Sequence, residues 1–327
     1  MKVIIVGVGS IGTRHLRNLV ELGHEVYAVD INEDRLKAVS GDAKSVFSSL
    51  DEALKTKPDI AFICTFSNNH IAPALECAKA GCHLFIEKPL SFDLEGIDEL
   101  IQIVKENDLI TMVGCNMRFH PAISHIHNVL KNNPEYGRPL WADLEFGYYL
   151  PFDKKDYESS YKANRSMGGN LIYDDIHELD YACWFFGEPL KVISTKGILS
   201  DLKIDTEDYV EMMIKFRSGV TCSVHMDYLQ HGYSRRCKIV CEKATISWDF
   251  TSGKIGMITV EEAQWSWHDM KFELKYDQMY MDEVKYFIDS VTAGKQTFNT
   301  IEQSIPVLKL ALAANKSCDT ERWEEMK

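Results

Sequence analysis

The sequence predicts two domains of different class: a doubly wound α/β domain with a parallel sheet, then an α+β domain with a largely antiparallel open sheet. Up to about residue 114, short apolar runs rich in Val and Ile alternate with amphipathic segments. Such runs are typical of strands buried on both faces of a parallel sheet. From residue 140 onward, alternating strand-like segments separated by turn signals dominate. The chain of 327 residues is long enough for about two domains, which we place at 1–120 and 121–327.

The first domain is predicted element by element from this alternation. We expect strands at 2–6, 25–29, 43–46, 59–64, 82–86 and 110–114, and helices at 11–22, 33–39, 49–55, 71–80 and 94–107. Strand–helix–strand units connect right-handedly, and ligands of such sheets sit at the carboxyl ends of the strands.

The second domain begins with a helix at 121–131 and a strand at 140–149, followed by a polar, aromatic-rich loop at 151–165. A single helix then runs from about 168 to 186. Further strands are predicted at 192–198, 209–216, 220–228, 237–241 and 245–250, and two helices at 279–293 and 302–316 close the chain. The last helix could pack back on the first domain.

A glycine-rich turn follows the first strand and opens the first helix, with Gly7, Gly9 and Gly12 spaced as G-x-G-x-x-G. In a Rossmann domain these residues make the tight turn, admit a pyrophosphate and allow close helix packing. An ordinary βα turn is the alternative, but Asp30 ends the next strand, where a carboxylate accepts hydrogen bonds from an adenosine ribose. That carboxylate would repel a 2′-phosphate, so we expect NAD rather than NADP, although Arg14 and Arg35 lie nearby in sequence.

The composition excludes several classes of partner. The formal net charge of −13 and the absence of basic runs argue against nucleic acid and anionic membranes. The nine cysteines are scattered and form no C-x-x-C pair, so we expect reduced core residues in a cytoplasmic protein. We find no signal peptide and no apolar run of membrane-spanning length. His120, His125 and His127 are spread around a helix, so we expect no metal site there.

Three further motifs carry a resemblance that extends over essentially the whole chain. They are Glu87-Lys88-Pro89, the segment 114–121 (G-C-N-M-R-F-H-P) and the segment 168–180 (G-G-N-L-I-Y-D-D-I-H-E-L-D). In this order they resemble the Gfo/Idh/MocA family of glucose-fructose oxidoreductases and inositol dehydrogenases. The resemblance implies an NAD-dependent oxidoreductase acting on a sugar, cyclitol or nucleotide-sugar, and a homodimer or homotetramer formed through the second-domain sheet. It also implies a set of cofactor contacts: Gly7, Gly9, Ser10, Ile11, Gly12, Asp30, Ile31, Thr65, Asn68, His70, Glu87, Lys88 and Asn116.

Two residues are candidates for the chemistry itself. His177 titrates near neutrality and suits proton transfer at a hydroxyl, although an isolated histidine is more often a core or capping residue. Lys88 could polarise the substrate oxygen, although a solvated lysine is the simpler interpretation. The family's acidic residue four before the histidine is here Tyr173, whereas Asp174 lies three before it. On one continuous helix both would share a face with His177, so Asp174 is a third catalytic candidate that could orient the imidazole or bind a sugar hydroxyl. Tyr173 as a proton-relay phenol is the alternative, while Asp175 would point elsewhere.

The remaining substrate contacts are predicted from residue type. Arg118 and Arg165 suit a carboxylate or phosphate, and Tyr149 suits a sugar face. Together with Lys88, Tyr173, Asp174 and His177 they form the predicted substrate set. The acidic-x-x-His-Glu-Leu-Asp pattern resembles a subgroup associated with surface-polysaccharide sugars. Two alternatives stay open: an NAD-dependent glycosidase or epimerase that oxidises transiently, and a non-catalytic cofactor-sensing regulator.

Overall fold

The chain forms two compact units in a computed structural model that describes residues 1–153, 155–269 and 276–326. The first unit comprises Met1–Phe119 and Lys275–Leu308, and the second comprises His120–Leu274 and Lys309–Lys327. The segment 275–308, which we placed in the second domain from sequence, thus groups with the first unit.

The first unit contains a six-stranded, wholly parallel sheet in the order β3-β2-β1-β4-β5-β6. Its strands are β1 (Lys2–Val6), β2 (Glu25–Val29), β3 (Ser45–Phe47), β4 (Ile60–Ile63), β5 (His83–Glu87) and β6 (Thr111–Gly114). Its helices are α1 (Ser10–Glu21), α2 (Glu33–Val39), α3 (Leu50–Leu54), α4 (Ile71–Lys79) and α5 (Ile97–Glu106), with α10 (Tyr276–Ala293) and the first part of α11 (Ile301–Thr320). This order confirms the doubly wound fold, and it reverses between β1 and β4, where such sheets bind ligands.

Helix α10 joins the first unit because its apolar face completes that core. Val284, Phe287, Ile288 and Val291 are buried in one cluster with the apolar residues of the sheet and of α1. Phe287 packs at 5.7 and 5.6 Å, between ring centres, against the stacked pair Phe62 and Phe85. Burial of each such side chain stabilises the fold by about 1.5–3 kcal/mol.

The second unit contains a nine-stranded sheet in the order β14-β13-β12-β11-β7-β10-β9-β8-β15. Its strands are β7 (Pro139–Gly147), β8 (Pro189–Gly197), β9 (Tyr209–Phe216), β10 (Thr221–Asp227), β11 (Ser234–Cys241), β12 (Ala244–Asp249), β13 (Lys254–Thr259), β14 (Ser266–Asp269) and β15 (Glu324–Glu325). All its pairings are antiparallel except β7 with β10, so the largely antiparallel sheet is confirmed. Its helices are α6 (Pro121–Asn132), α7 (Leu150–Asp153), α8 (Leu171–Asp174), α9 (His177–Phe186) and the rest of α11.

The prediction of a single helix over 168–186 is wrong, because this segment forms two helices, α8 and α9. α8 ends at Asp174, and Asp175 adopts φ −112° and ψ 41°, outside the helical region. Asn170 caps α8 by accepting hydrogen bonds from the backbone N–H groups of Ile172 and Tyr173. Since α9 starts afresh at His177, helical spacing does not relate Tyr173, Asp174 and Asp175 to that histidine.

All nine cysteines are free, and seven of them are buried. In the described part of the chain, no helix is both long and apolar enough to cross a bilayer. His120 caps α6 by accepting the Ala122 backbone N–H at 3.1 Å, and burial lowers its pKa to about 4.

Candidate active site

The glycine-rich turn has two glycines that the fold requires and one that it does not. Gly7 has φ +92°, and a Cβ there would lie 2.7 Å from the Cys64 carbonyl oxygen. A Cβ on Gly12 would lie 1.9 Å from the Gly7 oxygen. At Gly9, in contrast, a Cβ would meet no heavy atom within 4 Å from the described residues beyond its immediate chain neighbours. The open space above Gly9 fits a pyrophosphate that approaches the backbone.

Helix α1 starts directly above this turn with its first N–H groups available. No side chain caps it, and no acidic residue lies in its first turn. The amides of Ser10 and Ile11 are therefore oriented as an anion site, as expected for a dinucleotide pyrophosphate.

Asp30 links the end of β2 to the glycine-rich turn. Its two carboxylate oxygens accept the backbone N–H of Val8 at 2.9 Å and of Asn32 at 2.8 Å. Arg35 lies 3.6 Å from the same carboxylate, so this arginine is directed at Asp30. Arg14 pairs instead with Asp277 at 3.3 Å. Ile31 is 94% exposed, which leaves its side chain available to an adenine ring.

The turn after β4 is tied to the end of β5 by a buried histidine. The ring nitrogens of His70 lie 2.9 Å from the Pro89 oxygen and 3.1 Å from the Thr65 oxygen. Burial lowers the pKa of His70, and because a neutral ring carries a single N–H, it donates to one of these two carbonyl oxygens at a time. Thr65 donates its hydroxyl to the Asn69 oxygen, and Asn68 is exposed in the 3₁₀ turn Ser67–Asn69.

Lys88 follows β5 directly at the carboxyl edge of the sheet, and its peptide bond to Pro89 is cis. Its backbone N–H donates to Oε2 of Glu87 at 3.1 Å, and its side chain is half-buried. Glu87 therefore fixes the peptide that carries Lys88.

Asn116 and Arg118 lie in the 3₁₀ turn after the neighbouring strand β6, and both are buried. Nδ2 of Asn116 has no hydrogen-bond partner among the described residues, so a bound group can satisfy it. Arg118 donates to the Phe298 oxygen at 3.3 Å. This half of the predicted site is thus assembled at one sheet edge, from the ends of β1, β2, β4, β5 and β6.

In the second unit, His177 begins α9 and is 7% exposed. Its neighbour Glu178 is fully buried and accepts hydrogen bonds from Arg235 on β11 at 2.8 and 3.2 Å. Tyr181 donates its hydroxyl to the same carboxylate at 3.0 Å. This ion pair anchors the first turn of α9 and with it the backbone of His177.

Asp174 and Tyr173 lie at the end of α8 and are 5% and 7% exposed. Oδ2 of Asp174 accepts the Asn170 backbone N–H at 3.2 Å. Arg165 donates to the Asp205 oxygen and to Glu207 at 3.3 Å each, and Tyr149 packs edge-on against His231 at 4.7 Å.

A polar cluster in the second unit was missed from sequence. Lys162 donates to the Tyr148 hydroxyl at 2.6 Å and lies 4.9 Å above that ring, which packs against Tyr228 at 5.3 Å. After burial, the charges of Asp175 and Asp174 both raise the pKa of these tyrosines, and the break between α8 and α9 separates Asp175 from the helix that His177 begins. Oδ2 of Asp175 and the buried Tyr228 hydroxyl lack hydrogen-bond partners among the described residues. Burial raises the pKa of Tyr148 and Tyr228, so both stay protonated.

Comparison with known proteins identifies both parts of the chain. Residues 1–115 match the profile of an oxidoreductase family with an NAD-binding Rossmann fold, GFO_IDH_MocA, and residues 129–247 match the GFO/IDH/MocA C-terminal domain. Myo-inositol 2-dehydrogenase from Thermotoga maritima is 28% identical over 98% of this chain and 97% of its own length. UDP-N-acetylglucosamine 3-dehydrogenase from Acidithiobacillus ferrooxidans is 27% identical over 78% of this chain and 76% of its own.

Solved structures agree with the fold. A probable dehydrogenase from Thermotoga maritima superposes with a TM-score of 0.82 at 25% identity, covering 100% of this chain and 99% of that one. Levoglucosan dehydrogenase in complex with NADH superposes with a TM-score of 0.89 at 18% identity, again covering 100% of this chain and 99% of that one. With both family profiles matched in order and a glycine-rich turn that leaves room for a pyrophosphate, the chain belongs to the Gfo/Idh/MocA family of oxidoreductases and uses NAD as its cofactor.

Proposed function

We propose that this protein is an NAD-dependent dehydrogenase that oxidises a secondary hydroxyl of a cyclitol, sugar or nucleotide-sugar to a ketone. The position of Lys88 carries the proposal, because it lies at the carboxyl edge of the sheet beside the turn that fits a dinucleotide. Relatives named for inositol and for UDP-N-acetylglucosamine support the substrate class.

The bound nicotinamide supplies the hydride acceptor. The chain must then remove a proton from the reacting hydroxyl and stabilise negative charge on its oxygen. We assign proton removal to the imidazole of His177, whose ordinary pKa lies near working pH. The ammonium of Lys88 donates a hydrogen bond to the same oxygen, where an alkoxide-like charge develops. The proposal therefore requires both side chains to act on one substrate.

Substrate hydroxyls that do not react need partners of their own. We assign this role to Tyr149, Arg165, Tyr173 and Asp174, and we add the cluster of Lys162, Tyr148 and Asp175. Lys162 supplies a donor on Tyr148 and Asp175 supplies an acceptor whose charge reaches the same tyrosine, which suits a polyol with several hydroxyls. Because Arg118 and Arg165 each already contact carbonyl or carboxylate oxygens, we assign them a lesser part in binding a substrate anion.

The proposal is tested with the purified protein before and after addition of NAD and a panel of cyclitols and sugars. A dehydrogenase accumulates NADH and ketone in equal amounts. Cofactor that copurifies in the reduced form, and a reaction without net redox change, would identify the glycosidase or epimerase alternative. A protein that binds NADH but turns over none of the panel would favour the regulatory alternative.

We also propose that subunits pair through the open face of the second-unit sheet. The alternation along β9 leaves Glu211, Met213 and Lys215 exposed on that face, and Trp141 on β7 lies on the same side. Trp141 and Met213 are 38% and 43% exposed, which is unfavourable if the face stays bare. Light scattering at micromolar concentration tests this, and a monomer would refute it.

A further inference from the structure

Three buried ionisable side chains from different elements of the first unit meet beside Lys88. They are His15 on α1, Glu87 on β5 and Glu283 on α10, which are 0%, 7% and 0% exposed. One nitrogen or oxygen of each lies within 4.8 Å of the others. Burying ionisable groups is costly unless they interact with one another, so this arrangement needs a role.

Glu87 links His15 to the peptide that carries Lys88. Its Oε1 lies 2.6 Å from Nε2 of His15, while its Oε2 accepts the Lys88 backbone N–H at 3.1 Å. The two oxygens thus have different partners, and the orientation of the carboxylate is fixed at both ends. A change at His15 is transmitted to Lys88 through this one side chain.

The ring of His15 has little freedom to make any other polar contact. Phe62, Phe85 and Tyr280 surround it, with ring centres at 5.5, 5.1 and 6.0 Å. Its Nδ1 has no hydrogen-bond partner in the described ranges. A bare Nδ1 costs less than an unsatisfied N–H, so the geometry places the proton on Nε2, which donates it to Glu87.

A metal ion is the alternative occupant for a histidine and two carboxylates. Ligand atoms bound at about 2.0–2.1 Å to zinc or magnesium lie about 3 Å apart or more. The 2.6 Å separation of His15 Nε2 and Glu87 Oε1 is shorter and corresponds to a hydrogen bond. The geometry therefore favours a proton between these atoms.

We propose that His15 is a positioning residue for Lys88: through Glu87 it holds the peptide from which the lysine reaches the substrate. The inference rests on the proposed function, since it assumes that Lys88 acts on the substrate oxygen. Glu283 closes the cluster from α10. Among the described residues, the titratable groups near it include Tyr280 on α10, His70 before α4 and Cys64 after β4. Burial, and then Glu87 and Glu283, raise the pKa of Cys64.

The first test measures Lys88 directly and needs no substrate. Full-length protein is reductively methylated with formaldehyde over a range of pH, and mass spectrometry gives the rate at each lysine. We expect His15→Leu to change the Lys88 rate at least threefold, and His15→Gln, whose amide can donate to Glu87, to restore it. Lys79 and Lys105 serve as exposed controls. An unchanged Lys88 rate in His15→Leu would overturn the inference.

The second test uses turnover of the polyol found with the substrate panel. We expect His15→Leu and Glu87→Gln each to lower kcat about tenfold or more, and the double variant to lose little more, because the residues act in series. If the fold-losses in kcat of the two single variants multiply in the double variant, the residues act independently and the inference is overturned. A fully active Lys88→Met would instead refute the proposed function. Stoichiometric metal that is lost from His15→Leu would show that the cluster is a metal site.

Discussion

The carboxylate of Asp30 accepts the backbone N–H of Val8 at 2.9 Å, so the residue expected to contact the ribose also holds the glycine-rich turn in place. Arg35 lies 3.6 Å from the same carboxylate. Replacement of Asp30 therefore removes a ribose acceptor and frees a cation in a single change.

We predict that Asp30→Ser weakens NADH binding about tenfold or more and reverses much of the preference against NADPH, because Arg35 can then meet a 2′-phosphate. Isothermal titration calorimetry with both dinucleotides measures this. Asp34→Ser, which removes an exposed carboxylate on α2 beside Arg35, is the matched control. Unchanged selectivity in Asp30→Ser would contradict the assignment.

Gly9 and Gly12 separate a ligand requirement from a folding requirement. A Cβ at Gly12 meets the Gly7 backbone oxygen at 1.9 Å, so Gly12→Ala must shift the main chain and should lower the free energy of unfolding by about 2 kcal/mol or more. The added methyl of Gly9→Ala meets none of the described residues beyond its chain neighbours, and we expect a loss of about 1 kcal/mol or less in the free energy of unfolding.

Although Gly9→Ala should have little effect on the free energy of unfolding, we expect it to have a large effect on NADH binding. We expect Gly9→Ala to weaken NADH at least tenfold although the protein stays folded, because the added methyl occupies the space assigned to the pyrophosphate. Urea unfolding and calorimetry on the same samples give both values. Normal NADH affinity in Gly9→Ala would place the pyrophosphate elsewhere.

The ion pair of Glu178 and Arg235 anchors the helix that starts with His177. Both side chains are buried, so Arg235→Met leaves a carboxylate without its partner and should cost about 3–5 kcal/mol of unfolding free energy. The double change Arg235→Met with Glu178→Leu should recover much of that loss. Arg236→Met is the control, because Arg236 is exposed, and we expect less than about 1 kcal/mol. Similar losses at Arg235 and Arg236 would contradict this.

His225 makes stability depend on pH. A hydrogen bond to Asp227 at 2.6 Å, and then one to Glu211 at 2.7 Å, raise the pKa of His225 to about 9. Because the pKa of His225 is higher in the folded protein, its protonation contributes fully to stability below the pKa of about 6.5 in the unfolded chain. That contribution is lost as pH rises through about 9.

We expect the free energy of unfolding of wild type to exceed that of His225→Gln by on the order of 1–2 kcal/mol at pH 6, a value reduced because His225 is partly exposed. The difference should shrink toward pH 9.5. Urea unfolding across this range measures the difference. A gap that is constant with pH would show that the ring contributes only packing.

The sequence was sufficient to predict the strands and helices of residues 1–119, because the signals for them are local. The glycines, the buried strands and Asp30 follow one another within 30 residues, and each constrains its neighbours. The membership of α10 in that unit depends on contacts between Phe287 and the pair Phe62 and Phe85, which lie some 200 residues away.

The second unit was harder to predict because its decisive features are tertiary. The break at Asp175 has no proline or glycine to mark it, and it separates that carboxylate from the helix that His177 begins. Strand β13 was missed because Gly256 interrupts its pattern, and that glycine lies beneath the ring of Trp267. The sequence gives no sign of the contact between His15 and Glu87, because the two residues are 72 positions apart.

The most direct test of the central claim compares NADH formation by wild type, Lys88→Met and His177→Asn with one oxidisable polyol at saturating NAD. We predict that both variants lose at least about a hundredfold in kcat, while the Kd of His177→Asn for NADH stays within about threefold of wild type. Near-normal turnover by either variant would contradict the assignment of that residue to the chemistry.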